Sequence, residues 1–306
     1  MANKPPAKKT PVKANNGRPA GLFTWIAVGL VVVVVAALVI VKVISGSPTT
    51  TTTGTFQATD ATTVSQLTTI PTSVFDTVGI SSPVAPVSPP IQLKGQPLLT
   101  GTNASGAKVP KILYVGAEYC PFCAAQRWST IIALSRFGTW TGLGNTTSSS
   151  IDVYANTPTF TFLKASYKSK YLVFSGVEEL NNVYNPTTKT YGALQQPTAA
   201  EQAIFSKYDT SKYIKTMTPA DNGSIPFESL GNQFVQSGAS YTPATLAGLS
   251  RSQIAAGLAD ATSPVTAAII TSANYETAAL CNLTKQQPGN VCTSPGVLAA
   301  KKAMKL

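Results

Sequence analysis

The chain has 306 residues, 43% of them apolar and only 11% charged, with a formal net charge of +11 and no histidine. That length provides for one sizeable folded domain with appendages, and the missing histidine excludes Ser-His-Asp and Cys-His catalysis and the common histidine metal sites. The positive charge does not describe a nucleic-acid surface, because the terminal clusters (Lys4, Lys8, Lys9, Lys13 and Arg18; Lys301, Lys302 and Lys305) lack interleaved aromatics on which bases stack.

In chain order, residues 1–21 form a basic tail, and Leu22 to Ile44 is an almost unbroken apolar run. At about 1.5 Å per residue it spans roughly 30 Å, the thickness of a bilayer core, which predicts a single transmembrane helix. A cleaved signal peptide is the competing reading, but its apolar region runs about 7–15 residues and this one is longer. The cations ahead of the span place the N-terminus in the cytoplasm and the rest of the chain outside. Residues 45–60 are a Thr-rich linker, and 61–306 the extracytoplasmic domain. Val64, Leu67 and Ile70 predict a short helix ended by Pro71. Ser81 to Pro90 reads as a Pro-rich extended arm, and Ile91 to Thr100 as an edge strand.

Ile112-Leu113-Tyr114-Val115-Gly116 is an apolar run of the buried-strand kind. After the loop Ala117-Glu118-Tyr119, Cys120-Pro121 opens a helix, with Pro at a favoured first position and Gly138 at its end. Strands follow at Thr159–Leu163 and Tyr171–Val177, then a helix at Thr198–Tyr208. Two short strands, Pro226–Leu230 and Gln233–Val235, flank the hairpin signal Gly231-Asn232. Helices start at Thr242-Pro243, at the Ser250/Gln253 capping box and at Ser263-Pro264, the last running towards Cys281. The order predicts an α/β sandwich, a central mixed sheet flanked by helices. Tyr167, Tyr171, Phe174 and Tyr184 are expected to pack the core. Asn103, Asn145, Asn222 and Asn282 begin glycosylation sequons that matter only in a glycosylating host.

Four cysteines carry the chemistry: Cys120, Cys123, Cys281 and Cys292. The spacing of Cys120 and Cys123 places two thiols one helical turn apart. A thiol at a helix N-terminus meets unpaired N–H groups and the positive end of the macrodipole, which favour the thiolate that attacks disulfides. Cys120 is therefore the nucleophile and Cys123 the resolving thiol. Arg127 either adds positive potential or is a solvated surface cation; Glu118 either relays a proton for Cys123 or is an exposed loop acid. A zinc site would need two more ligands, which the spacing of Cys281 and Cys292 does not supply as a knuckle.

Ala117-Glu118-Tyr119-Cys120-Pro121-Phe122-Cys123 resembles the active-site segment of the thioredoxin superfamily, and its Cys-Pro-aromatic-Cys form is similar to glutaredoxins. The stretch Tyr114 to Trp128 resembles an uncharacterised family of membrane-anchored prokaryotic thioredoxin-like proteins. The resemblance implies a thioredoxin-like sandwich, no cofactor, and a cis-proline facing the thiols. Ile225-Pro226 matches that place, with Thr157-Pro158 as a rival; the Ile225 backbone would then pair with an extended substrate. Pro121 and Phe122 would tune the potential.

Cys281 and Cys292 are expected to close a loop as a structural disulfide in an oxidising compartment, with a second redox pair as the alternative. The leading expectation is a membrane-anchored thiol–disulfide oxidoreductase. Its partners would be exported or membrane proteins bearing thiols or disulfides, and a membrane or secreted redox partner. A redox-inert peptide-binding module and a structural stalk domain are the competing classes.

Overall fold

The computed structural model describes residues 56–83 and 86–306. The basic tail, the predicted membrane span and most of the Thr-rich linker therefore lie outside the described residues. Among the described residues no helix is long and apolar enough to cross a membrane.

The chain begins with β1 (Gln57–Ala58), α1 (Ala61–Thr68), α2 (Thr72–Val78), β2 (Ile91–Gln92), β3 (Thr100–Thr102), β4 (Lys108–Gly116) and α3 (Pro121–Ser135). A strand-rich stretch follows: β5 (Gly138–Thr141), β6 (Gly144–Thr147), β7 (Pro158–Thr161), β8 (Ser166–Ser169), β9 (Val173–Glu178), β10 (Leu180–Asn185) and β11 (Thr190–Ala193). Next come α4 (Ala199–Tyr208), β12 (Phe227–Leu230), β13 (Phe234–Ser237), α5 (Arg251–Gly257), α6 (Pro264–Leu283), α7 (Gly289–Cys292) and α8 (Pro295–Met304).

The central sheet is mixed and is built around β4. On one side β9 runs parallel to it, from Lys111 opposite Val173 to Gly116 opposite Glu178. On the other side β12 is antiparallel, then β13, then β2. The first residues of β4 pair with β3. Side chains of β4 alternate between two apolar layers, as the period of a strand requires. Ile112 and Tyr114 join the larger cluster with residues of α3 and α6, whereas Leu113 and Val115 join Phe205 and Tyr208 of α4. Burial on both faces explains why this run is continuously apolar.

The Cys120-Pro121 helix start, the Thr198 helix, the Ser250 capping box and the hairpin through Gly231-Asn232 appear where expected. Other boundaries need correction. The CxxC helix stops at Ser135, before Gly138, because Phe137 turns into the core and its carbonyl accepts a hydrogen bond from the Ser169 hydroxyl at 2.6 Å. The expected edge strand pairs only at its two ends, Ile91–Gln92 with β13 and Thr100 with β4, and Thr242-Pro243 opens a 3-10 turn, Pro243–Leu246, in place of an α-helix. Tyr167, Tyr171 and Phe174 pack against the larger core cluster. Tyr184 instead lies against Tyr191 on the β10–β11 hairpin, at a centroid distance of 5.4 Å. Asn103 is buried, its amide committed to the Ser169 and Lys170 carbonyls, so this sequon is not free for modification.

Cys281, near the end of α6, is bridged to Cys292 in α7. Both are fully buried, and exchange requires access to a sulfur, so the arrangement favours a structural staple over a second redox pair. Replacing both by Ser is expected to cost about 2–3 kcal/mol, the loop-closure value for so short a loop. The change would be read as a lower urea midpoint; an unmoved midpoint would contradict it.

Candidate active site at the Cys120–Cys123 helix start

Strand β4 ends at Gly116 and delivers the Ala117–Tyr119 loop to the start of α3. Cys120 is the N-cap: its backbone is extended and its sulfur accepts the Cys123 N–H at 3.3 Å. Its N–H is tied to the Ala117 carbonyl at 3.3 Å. Cys120 keeps 6% of its surface exposed while Cys123 keeps none. The Cys120 thiol lies 3.7 Å from the Ile225 carbonyl oxygen, and the Ile225-Pro226 bond is cis. Thr157-Pro158 is not among the cis bonds of the described residues; the Pro158 carbonyl accepts the Trp128 indole N–H at 2.9 Å.

The two thiols are driven apart in acidity. The Cys123 side chain donates to Cys120, and, against burial, this bond together with the Cys123 and Phe122 N–H groups and the Arg127 charge brings the Cys120 thiol below its ordinary value. Burial first, then the neighbouring Cys120 sulfur, push Cys123 well above its own. Cys120 is thus the more exposed and the more acidic of the two sulfurs.

Arg127 is not a solvated surface cation. It is fully buried and forms a forked ion pair with Glu178 at the end of β9, through Nε–Oε1 at 2.9 Å and Nη2–Oε2 at 2.5 Å. Nη2 also donates to the Ala117 carbonyl at 2.8 Å. Burial works against the guanidinium charge, but Glu178 outweighs it and holds Arg127 above its usual value. Burial pushes the Glu178 carboxyl up, partly offset by Arg127 and the Phe162 N–H. Glu118 is likewise no exposed loop acid: it is buried, and its N–H donates to the Leu180 carbonyl at 2.8 Å. Among the described residues no hydrogen bond joins its side chain to either thiol.

Residues 99–282, more than half of the chain, match the family described as a domain of unknown function (DUF929). The chain belongs to the DUF929 family. No curated protein and no solved structure matches it. The DUF929 match takes in both thiols, Arg127, Glu178 and the cis Ile225-Pro226 bond, and ends before Cys292.

The fold of this DUF929 protein adds residues that sequence reasoning missed. On the other side of α3 from Arg127, Gln126 donates to two buried carboxylates, Glu228 at 3.1 Å and Glu276 at 2.9 Å, while its own oxygen accepts from Ser240. The Thr130 hydroxyl closes on Glu228. Beside Cys120, Tyr119 stacks on Tyr191 at 4.3 Å, and Phe122, 40% exposed, meets Tyr154 edge-on at 5.9 Å. The signal for Glu178 was faint: it is one of two consecutive acids, Glu178-Glu179, closing an apolar strand, with a helical arginine as the hint of its partner.

Proposed function

We propose that this DUF929 protein is a thiol–disulfide oxidoreductase with a thioredoxin-like domain, anchored in the membrane by its N-terminal apolar segment and acting on exported or membrane proteins. The observation that carries the reading is the Cys120 sulfur at the start of α3, held 3.7 Å from the carbonyl of Ile225 beside the cis Ile225-Pro226 bond. The order β4, CxxC helix, parallel β9, α4, antiparallel β12–β13 hairpin and α6 supports the thioredoxin-like part of the reading.

The chemistry follows from the two environments. Cys120, the more acidic and the more exposed of the two thiols, attacks one sulfur of a substrate disulfide; the other leaves as a thiolate and takes up a proton. Cys123 then attacks Cys120, closes the intramolecular bridge and releases the second substrate sulfur. Run backwards, the same steps oxidise a substrate dithiol. The backbone polar groups of Ile225 offer an extended substrate strand its pairing partners.

The test is a pair of serine variants. Cys120→Ser is expected to abolish exchange with a model disulfide, and Cys123→Ser to accumulate mixed disulfides that reductant releases. Full turnover by Cys120→Ser would refute the reading. A Cys120–Cys123 bridge that strong reductant fails to open would move the protein to a peptide-binding role.

A further inference from the structure

Cys123 has to become a nucleophile in a place that opposes a thiolate. It is fully buried, and burial is the largest influence holding its proton on. The other two influences in that direction come from the Cys120 sulfur, as a hydrogen-bond acceptor and as a charge. Against them stand Arg127 and the Ala117 N–H. Arg127 lies one turn beyond Cys123 on the same face of α3. Glu178 and the Ala117 carbonyl occupy Nε and Nη2, while Nη1 is buried and has no partner among the described residues. The hydroxyl of Tyr114 is buried and, among the described residues, unpartnered too, and its ring lies 5.6 Å from the guanidinium carbon. An unpaired donor on a buried cation is costly, and a newly formed thiolate beside it would offset that cost. The ionisable groups around the site, besides Arg127, are Cys120, Tyr114, Tyr119 and Glu178, with Glu118 beside Glu178.

We propose that Arg127 is a positioning residue for the resolving step, one that readies Cys123 for attack only after Cys120 has been captured in a mixed disulfide. This rests on the oxidoreductase reading. Before capture, the Cys120 thiolate holds the Cys123 proton. Once Cys120 is bonded to substrate, that charge and its hydrogen bond are gone, while Arg127 and the Ala117 N–H remain. Cys123 then loses its proton to solvent. Its sulfur forms a bond to the Cys120 sulfur, the Cys120–substrate bond breaks, and the electron pair leaves on the substrate sulfur, which is protonated. The protein pair is oxidised by two electrons and the substrate reduced by two.

The experiment mixes the reduced full-length chain with a nitrobenzoate disulfide whose released thiolate is coloured. A first phase reports attack by Cys120, a second reports resolution by Cys123. In the wild-type chain the pH midpoint of the second phase is expected below about 8.5, the value of a free thiol; a midpoint at or above it overturns the inference. Arg127→Met paired with Glu178→Leu removes the charge without stranding its partner. At pH 7 it should slow the second phase about tenfold and raise its midpoint, with the first phase within about threefold of wild type and partial recovery in Arg127→Lys. A folded double variant with a wild-type second phase overturns the inference alone, whereas a wild-type chain that shows no first phase removes the oxidoreductase reading beneath it.

Discussion

Arg127→Met alone is expected to destabilise the protein by about 3–5 kcal/mol, the penalty for leaving one member of a buried ion pair without its partner. The buried carboxylate of Glu178 would keep only the Phe162 N–H, and the Ala117 carbonyl would lose its guanidinium donor. Glu178→Leu alone should cost a similar amount, by stranding the guanidinium instead. The double variant should cost much less than the sum, because an apolar pair of similar volume needs no desolvation. Urea unfolding of the four chains completes the cycle. Additive losses would mean that the two side chains do not act as a unit, and would also weaken the case for Arg127 as the charge behind Cys123. Desolvation offsets much of the attraction within the pair, yet the pair ties the Ala117 loop, the first helical turns of α3 and the end of β9 to one point. Those are the segments that fix the distance between the two thiols and the sheet.

How far the site was legible depended on how local its signals were. The strand at Ile112, the Cys120-Pro121 helix start, the Gly231-Asn232 turn and the Ser250/Gln253 capping box are short patterns whose cause lies within a few residues, and each appears in the structure. The cis bond at Ile225-Pro226 came from resemblance and not from its neighbours. Arg127 was misplaced because a helix with Ala124, Ala125, Gln126 and Arg127 in sequence reads as turning a polar face outward. What buries that face is α6, whose residues from Thr266 to Cys281 are buried on every side, together with β9, whose Glu178 lies 51 positions along the chain from Arg127. The strands β5, β6, β8, β10 and β11 were invisible because their Thr, Asn, Ser and Gly residues carry no apolar alternation. The pairing of β5 with β8 and of β6 with β1 and β7 is made by backbone hydrogen bonds between separate stretches of chain, and only β10 and β11 close as a local hairpin. One of them, β11, supplies Tyr191, which stacks on the tyrosine next to the nucleophile.

Raising the pH from about 4.5 to above 7 is expected to weaken the fold through Glu228. Burial pushes this carboxyl up to about 7 from an ordinary 4.5, with the Thr130 and Gln126 hydrogen bonds opposing. Its neighbour Glu276 is driven well above the carboxylate range, first by burial and then by Glu228 itself. A folded-state value above the unfolded one means that the native protein holds the proton longer. The associated stability is complete below about pH 4.5 and is lost as the pH rises through about 7. For Glu228 the rise corresponds to about 3 kcal/mol. Asp209, pushed up to about 6 mainly by burial, adds in the same direction. Glu201 acts oppositely. Its hydrogen bonds from Ser175, Lys111 and Thr198 outweigh burial and bring it to about 2, so its contribution disappears as the pH falls through that value. Stability should therefore peak in mildly acid solution and fall towards neutrality and beyond. Glu228→Gln keeps the size of the side chain and removes the titration. Unfolding curves for this variant should show a flatter decline between pH 5 and 8 than the wild type, and identical slopes would mean that Glu228 is ionised throughout. The placement has a functional corollary, because Gln126 belongs to the helix that begins at Cys120 and Glu228 lies two residues after Pro226. Ionisation of the pair would loosen the same helix–strand contact that sets the sulfur of Cys120 against the carbonyl of Ile225.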